Sequence, residues 1–539
     1  MISEAPGQTQ HMGFQFSALW ARTRAHSPLI LVLTIGLIVW LVVFGAAVSD
    51  YLDTAVWCRR SVWAGDGSFE LFGLTIYYQL EGYADYSFYY VHWGHNMLLG
   101  VPLYTPEFGE LTLNGVRNQN GIYIFPPLFA ILCALGILLP VDDIGIGVLI
   151  AAFGYLTAVP VYGLGKELSG GNVRVGTAAA MTYLLSPAVL YHICFCWLNP
   201  SPFVFFFISG YYALVRGHKY LGTLLIVTAA LFKQTAWFLG IVLVVELIVK
   251  RRHIPIADHN MEYLPTTTPS VDIRPGHENR LRAILTRTGI RIAESLDLRG
   301  FARSALLAAI YVSVITLPFM MTQPNMLGYM WVPSRGYPLD SLTELPAYSL
   351  PMRLQVLPVV AGIPALAMVL DYLVYNGILL VFGVSFISVA MFLEPRRLGQ
   401  DVQYYRRLLF LAMMLMLWVH LVGPRGVYKY YFTLFAPFFS IFSSYQMVAG
   451  TKSQVEFSSS MLWMPMAVTL LYLLPNRLTY LLAVALIMIA YGVARYVGAF
   501  WHVLTTPCRL VVNRLRSHTL LISHKSTHEV PMAGSEPHV

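Results

Sequence analysis

The sequence predicts an all-α integral membrane protein, a bundle of about twelve transmembrane helices, and three observations carry that prediction. Of its 539 residues, 57% are hydrophobic and 12% charged, with a mean hydropathy of +0.61. That is too apolar for a water-soluble chain with ordinary cores. Apolar runs of membrane-spanning length recur along the chain, and a run of this kind satisfies its backbone in lipid only as a helix. Lysine and arginine gather in short runs between them, which is how basic residues orient a protein in a bilayer. The formal charge of +8 therefore serves orientation, and no nucleic-acid partner is expected.

Taken in order, residues 1–28 are polar, carry Arg22 and Arg24, and form a cytoplasmic N-terminus. The run at 29–49 starts too late and extends too far for a cleaved signal peptide, so it reads as the first transmembrane helix. Residues 50–142 form an outer loop with interfacial helices. Spanning runs follow at 143–163, 175–192 and 201–215, then two shorter runs between 219 and 249, broken by Phe232-Lys233-Gln234-Thr235. The cytoplasmic loop at 250–302 joins a linker to a basic, amphipathic stretch from Arg280 to Arg303 that is expected to lie in the interface. Residues 303–500 hold further runs at 303–321, 372–394, 406–422, 427–448, 460–475 and 477–499, with an outer loop at 323–355. A polar cytoplasmic tail, 501–539, closes the chain.

Orientation follows from the basic clusters. Lys166, Arg174, Arg216, Lys219, Lys250 to Arg252, Arg396, Arg397 and Arg509 to Arg516 all fall on the cytoplasmic side only if 125–140, "FPPLFAILCALGILLP", does not cross, and 352–368 likewise. The chain shows no internal repeat, which argues against a secondary transporter built from two related halves. Its five cysteines, Cys58, Cys133, Cys194, Cys196 and Cys508, show neither zinc-ligand spacing nor a disulfide framework.

One stretch of the first outer loop departs from its surroundings: "GYADYSFYYVHWGHNMLLGVPLYTP", Gly82 to Pro106. On a helix from Ala84 to Leu99, Asp85, Tyr89, His92 and Asn96 fall at i, i+4, i+7 and i+11 and share a face. Tyr86, Tyr90, Trp93 and Met97 form a second stripe suited to the headgroup level. Such a helix lies on the membrane and presents a carboxylate at the interface.

Asp85, Tyr86, Tyr89 and Tyr90, then Leu98, Gly100, Leu103 and Tyr104, then Tyr123, Pro126, Pro127 and Leu128 make an ordered series after the first helix. "LNPSPF" at 198–203, "LFKQTAWFL" at 231–239 and "GPRGVYKYYFTLFAPFF" at 423–439 extend it. This pattern resembles the membrane-embedded GT-C glycosyltransferases, nearest their mannosyltransferase-like branch, and covers about residues 29–450. The resemblance implies a GT-C-like bundle and transfer of one hexose, with inversion, from a polyprenyl-phosphate sugar donor to a lipid, glycan or protein acceptor. It places the site on the outer face of a multi-pass protein in the plasma membrane of a prokaryote, or on the lumenal face in a eukaryote. Membrane lipids are the other expected partners.

That chemistry needs one base to take the acceptor's proton and cations to steady the phosphate leaving group. Asp85 is the candidate base, with Asp50 and Asp53 in "SDYLDTAVW" as rivals. Lys233, Arg425 and Lys429 are candidate phosphate ligands, because each is a cation assigned to the outer side against the positive-inside pattern. Arg335, Gln234, Tyr89 and His92 are candidate substrate contacts. The residues point to no certain cofactor, and Asp85 with His92 would suit a divalent cation. His95 is a further candidate ligand, and His420 a residue that would approach the same site. Two other readings stay open: a transporter or flippase of polyprenyl-linked lipids, and a non-catalytic membrane subunit on the same scaffold.

Overall fold

A computed structural model describes residues 8–54, 63–83, 85–109, 111–113, 116–118, 123–248, 296–324, 326–331, 362–370, 372, 401–422 and 429–449. All of them belong to one unit, Met1–Leu481. The runs at 460–475 and 477–499, most of 372–394, most of the amphipathic stretch after Arg280, Arg335, Arg425 and the tail lie outside the described residues.

Helix α1, Gln8–Asp53, contains the first apolar run and continues through Pro28. Two hairpins then interrupt the expected all-α chain. Strand β1, Trp63–Leu71, pairs antiparallel with β2, Leu74–Glu81, across a two-residue turn in which Phe72 (φ 52) and Gly73 (φ 77) both take positive φ. Both central residues of the tightest hairpin turn must do so, and Gly73 does it without steric cost. Strands β3, Leu111–Leu113, and β4, Val116–Asn118, form the second hairpin. The physical reason is local: "FELFGLTIYYQLE" is rich in aromatic and β-branched residues around a turn, so its backbone groups pair within the segment.

A π-helical turn, Asp85–Tyr90, leads into α2, Val91–Leu98. Helix α3, Pro127–Ile137, begins with proline at its first position, where the missing N–H costs nothing. The Tyr123 hydroxyl latches its start, donating to the Pro126 carbonyl at 2.6 Å and accepting from the Ala130 amide at 2.9 Å. With 11 residues, α3 is about 16 Å long, roughly half of a hydrocarbon core.

Helices α4, Gly145–Leu156, and α5, Ala158–Leu168, follow, then α6, Val173–Leu184, capped by Asn172, whose side chain accepts from the Arg174 amide. The chain bends by 43° between Val173–Leu184 and Pro187–Phe195. A proline one residue past a break cannot continue the preceding helix. Next come α7, Pro200–Val215, and α8, Lys219–Phe232, then a 3₁₀ turn, Gln234–Phe238, and α9, Leu239–Ile248. Helix α10, Leu298–Thr322, starts at Asp297, whose carboxylate accepts from the Gly300 amide at 2.9 Å. Helices α11, Met326–Trp331, and α12, Asp401–Val422, a 3₁₀ segment, Lys429–Leu434, and α13, Ala436–Ala449, complete the described chain.

Among the described residues, three helical stretches are long and apolar enough to cross a membrane, Ser27–Asp53, Asp142–Leu168 and Leu298–Thr322, or four if the bent pair is one span. The architecture is thus mostly helical, with membrane-spanning character. Asp142–Leu168 is the inner span, 56% of its window buried, whereas Leu298–Thr322 is buried over only 6% of its window. Leu306, Ile310, Val314, Leu317 and Met321 on α10 are all more than half exposed. Leaving a large aliphatic side chain in water costs about 1.5–3 kcal/mol relative to burial, so a bilayer is the environment that suits this face.

The bundle has two chemically distinct ends. At one, Arg216 pairs with Glu167 at 2.8 Å, Lys219 meets Asp297 at 3.4 Å, and Arg406 donates to the Leu168 carbonyl. The other end, reached along α7 and back along α8, holds Asn199 and Lys233.

Candidate functional site

Four segments far apart in sequence meet at that second end. They are the π-turn Asp85–Tyr90, a second π-turn Leu190–Phe195 with the residues up to Asn199, the break at Lys233, and the 3₁₀ segment at Lys429–Leu434. Tyr430 packs with Cys196 and Leu198, with Tyr191, Phe195 and Tyr431 against them. Two π-turns in one site are notable physically, because the i→i+5 pattern is rare and recurs where function requires it.

Trp197 organises the floor. Its ring is fully buried and lies 4.9 Å from Tyr86, 5.2 Å from Tyr51, 5.6 Å from Phe44 and 5.7 Å from Tyr83, centroid to centroid. It also covers Gly147, where a Cβ would come within 2.6 Å of the indole, so only glycine fits there. The Trp197 backbone sits at φ 53, a left-handed conformation that costs a bulky residue about 1–3 kcal/mol. Tyr86 fastens the π-turn to the inner span: its hydroxyl donates to the Asp143 carbonyl and accepts from the Gly147 amide at 3.0 Å. Ser87 Oγ, Tyr90 Oη and Trp197 Nε1 are buried and reach no hydrogen-bond partner among the described residues. The Tyr90 hydroxyl faces the Asn199 main chain without closing a hydrogen bond of ordinary geometry.

Asp85 stands half-buried at the head of its π-turn. Its charge reaches the hydroxyls of Tyr90 and Tyr430. Burial first, and the Asp85 charge second, push the Tyr90 pKa well above the ordinary tyrosine range, so Tyr90 is a neutral hydroxyl. Lys233 is 5% exposed, and its Nζ donates to Asn199 Oδ1 at 2.9 Å. Aromatic rings surround the same ammonium: Tyr431 at 4.4 Å, Phe125 at 5.7 Å, Tyr430 at 5.8 Å and Phe203 at 5.9 Å from the centroids. Ring faces attract a cation, most strongly when it is desolvated. Lys233 also ends α8 in an extended conformation, where the negative pole of the helix favours a positive charge. Lys233 thus stands beside Tyr430 and Tyr431, and the Asp85 carboxylate is within electrostatic range of Tyr430.

The other expected residues fall around this centre. Asp50 accepts from the Tyr83 hydroxyl at 3.0 Å, and Tyr83 stacks on Phe195 at 6.0 Å, so Asp50 approaches the same aromatic cluster from α1. Asp53 is exposed and accepts from Ser49 at 3.2 Å. Tyr89 is half-buried and stacks on Trp93 at 5.4 Å. His92 lies 3.0 Å from the Asn96 amide, which also donates to the Phe108 carbonyl. Gln234 is engaged as a brace, its amide donating to the carbonyls of Ile124 and Met330. The main chain of Lys429 opens the 3₁₀ segment beside Tyr430. Arg425 and Arg335, and the side chains of Lys429 and His420, lie outside the described residues.

The headgroup stripe needs correction. Tyr86, Tyr90 and Trp93 are at most 3% exposed, and Trp93 packs edge-on against Tyr123 and Phe129. Helix α2 lies against α3, so the stripe read as interfacial is core; a periodic aromatic face does not say whether lipid or protein covers it. Among the described residues no three His, Cys, Asp or Glu side chains converge on a point that could hold a metal ion. His95 is instead 3.3 Å from Asp143. Asn199, Tyr430, Tyr431 and His192, a buried residue of the second π-turn whose ring lies edge-on to Tyr430 at 6.3 Å, are the site residues that sequence reasoning missed. Asn199 lies inside the quoted "LNPSPF", and the tyrosines inside "VYKYYF".

Compared with known proteins, the chain matches no family model and no curated protein.

Proposed function

We propose that this chain is an integral membrane glycosyltransferase of the GT-C type, moving a single sugar from a polyprenyl-phosphate donor to a lipid, glycan or protein hydroxyl. The observation that carries the reading is the buried cation Lys233, bonded to Asn199 and ringed by Tyr431 and Tyr430 at the end of the bundle where the π-turn headed by Asp85 also lies. The acceptor oxygen attacks the anomeric carbon while Asp85 takes its proton. The bond from that carbon to the phosphate oxygen breaks, and the phosphate leaves with the electron pair toward Lys233. One base and a cationic leaving-group site suffice for this displacement, in contrast to the paired carboxylates of glycosidases. Ser87 Oγ and Trp197 Nε1, buried and without a hydrogen-bond partner among the described residues, support the reading, because a functional role is one explanation for such groups.

Arg216, Lys219, Arg299, Arg303 and Arg406 lie on elements at the opposite end, so the positive-inside rule turns the Asp85 end outward. A site there draws on lipid-borne sugars. The test is to supply purified full-length protein in detergent with a radiolabelled polyprenyl-phosphate mannose, a polyprenyl-phosphate glucose or a nucleotide sugar, together with lipid and glycan acceptors. Label should pass to an acceptor from a polyprenyl-phosphate donor and from no nucleotide sugar. Passage of intact donor across vesicle membranes without sugar release would overturn the reading in favour of a transporter.

A further inference from the structure

The arginine-rich end of the bundle holds an open cavity of about 760 Å³ between the start of α8 and the start of α10. His218 and Lys219 line one side, and Asp297, Arg299 and Arg303 line the other. Asp297 is the single carboxylate among the described lining residues. One of its oxygens accepts from the Gly300 amide at 2.9 Å and the other meets Lys219 at 3.4 Å, so its charge is already matched. Arg299 and Arg303 are both exposed, and the lining keeps an excess of positive charge.

These arginines continue into an apolar track. Arg299, Arg303, Leu306, Ile310, Val314 and Leu317 follow each other at intervals of three or four residues on α10, which places them on one stripe of the helix. The four apolar members are 52–68% exposed. Helix α10 is a span by length and composition, so its first turns lie at headgroup depth. An ordinary lipid-facing helix shows apolar residues with one or two basic residues at its end. Here a second helix brings Lys219 and His218 to the other side of an open cavity of ligand size.

We infer that this cavity is a binding site for an anionic phospholipid, its phosphate held by Arg299 and Arg303 and its acyl chain laid along the Leu306 to Leu317 stripe. Arginine suits the role because its planar fork meets phosphate oxygens two at a time. A zwitterionic lipid carries a choline cation that these residues repel, and free phosphate lacks the acyl contact. The site is independent of the sugar-transfer reading, since it sits at the other end of the bundle.

The test uses full-length protein stripped of lipid in a neutral detergent and titrated separately with dioctanoyl phosphatidylglycerol, dioctanoyl phosphatidylcholine and inorganic phosphate. Phosphatidylglycerol should bind saturably, about tenfold or more tightly than either alternative, and more weakly as salt is raised. The double variant Arg299→Gln, Arg303→Gln should lose about tenfold or more in that affinity while keeping its thermal midpoint without lipid, since both side chains are exposed. Equal binding of phosphatidylcholine would mean an unselective lipid groove and overturn the proposal. Phosphate binding as tight as phosphatidylglycerol would reassign the site to a soluble anion, and an unchanged double variant would remove it from this cavity.

Discussion

Lys233 shows how far a single residue can be read before its surroundings are known. A cation that interrupts two apolar runs is expensive unless something meets it, and that made it a legible site candidate. What meets it was not legible: Asn199 precedes a proline and reads as an ordinary helix start, and Tyr430 and Tyr431 are two aromatics among many. In the proposed reaction Lys233 contributes a charge-assisted hydrogen bond to the donor's phosphate. Lys233→Met keeps a similar length and volume and should weaken binding of a polyprenyl-phosphate sugar by about 1.5–3 kcal/mol, roughly ten- to a hundredfold. Its thermal midpoint should fall, because methionine leaves the buried Asn199 side-chain oxygen without the donor that Lys233 supplies, a loss of about 1–3 kcal/mol, so binding is compared well below both midpoints. Equilibrium binding of labelled donor to the variant in detergent makes the comparison. Unaltered affinity would leave Lys233 as a structural cation held by its rings.

At the scale of elements, the tyrosines and prolines that carry the family resemblance turn out to build the scaffold. Tyr86, Tyr104 and Tyr123 are all fully buried, and each hydroxyl is tied to main chain. The sequence could show that these residues recur in order. It could not show that they latch one element to another, because a latch depends on which carbonyl a distant segment presents. The hairpins were missed for a related reason: composition averaged over a membrane chain hides a short local pattern such as "LFGL" at the turn between β1 and β2. A prediction follows for the latch of α3. Tyr123→Phe removes only the hydroxyl, taking from the Ala130 amide its bond to that oxygen and leaving the Pro126 carbonyl with the Phe129 amide at 3.4 Å, which should cost about 1–3 kcal/mol. Tyr77→Phe, on an exposed residue of β2, should cost nothing measurable. Thermal unfolding of both variants in one detergent compares them, and equal midpoints would show that the latch is not part of what holds α3 in place.

For the whole molecule, the membrane class was legible because composition and run length are properties of the chain itself. The site was legible only in part, because it is assembled from residues near 85, 199, 233 and 430 that no spacing rule connects. The bundle brings them to one end and gathers arginines at the other, and in the proposed reaction this polarity lets a base and a phosphate site share an aromatic floor. The acid that serves as base is the central claim, and three carboxylates near that end compete for the role. Asp85 is half-buried and within electrostatic reach of Tyr430, while Asp50 and Asp53 lie exposed on the last turns of α1. The most direct measurement is turnover and donor affinity for Asp85→Asn beside Asp50→Asn and Asp53→Asn, since asparagine keeps the size and removes the basicity. Asp85→Asn should lose about two to four orders of magnitude in turnover with donor affinity intact, while the other two stay near the parent protein. Near-normal turnover in Asp85→Asn, with collapse in Asp50→Asn or Asp53→Asn, would contradict the account and move the base to the end of α1.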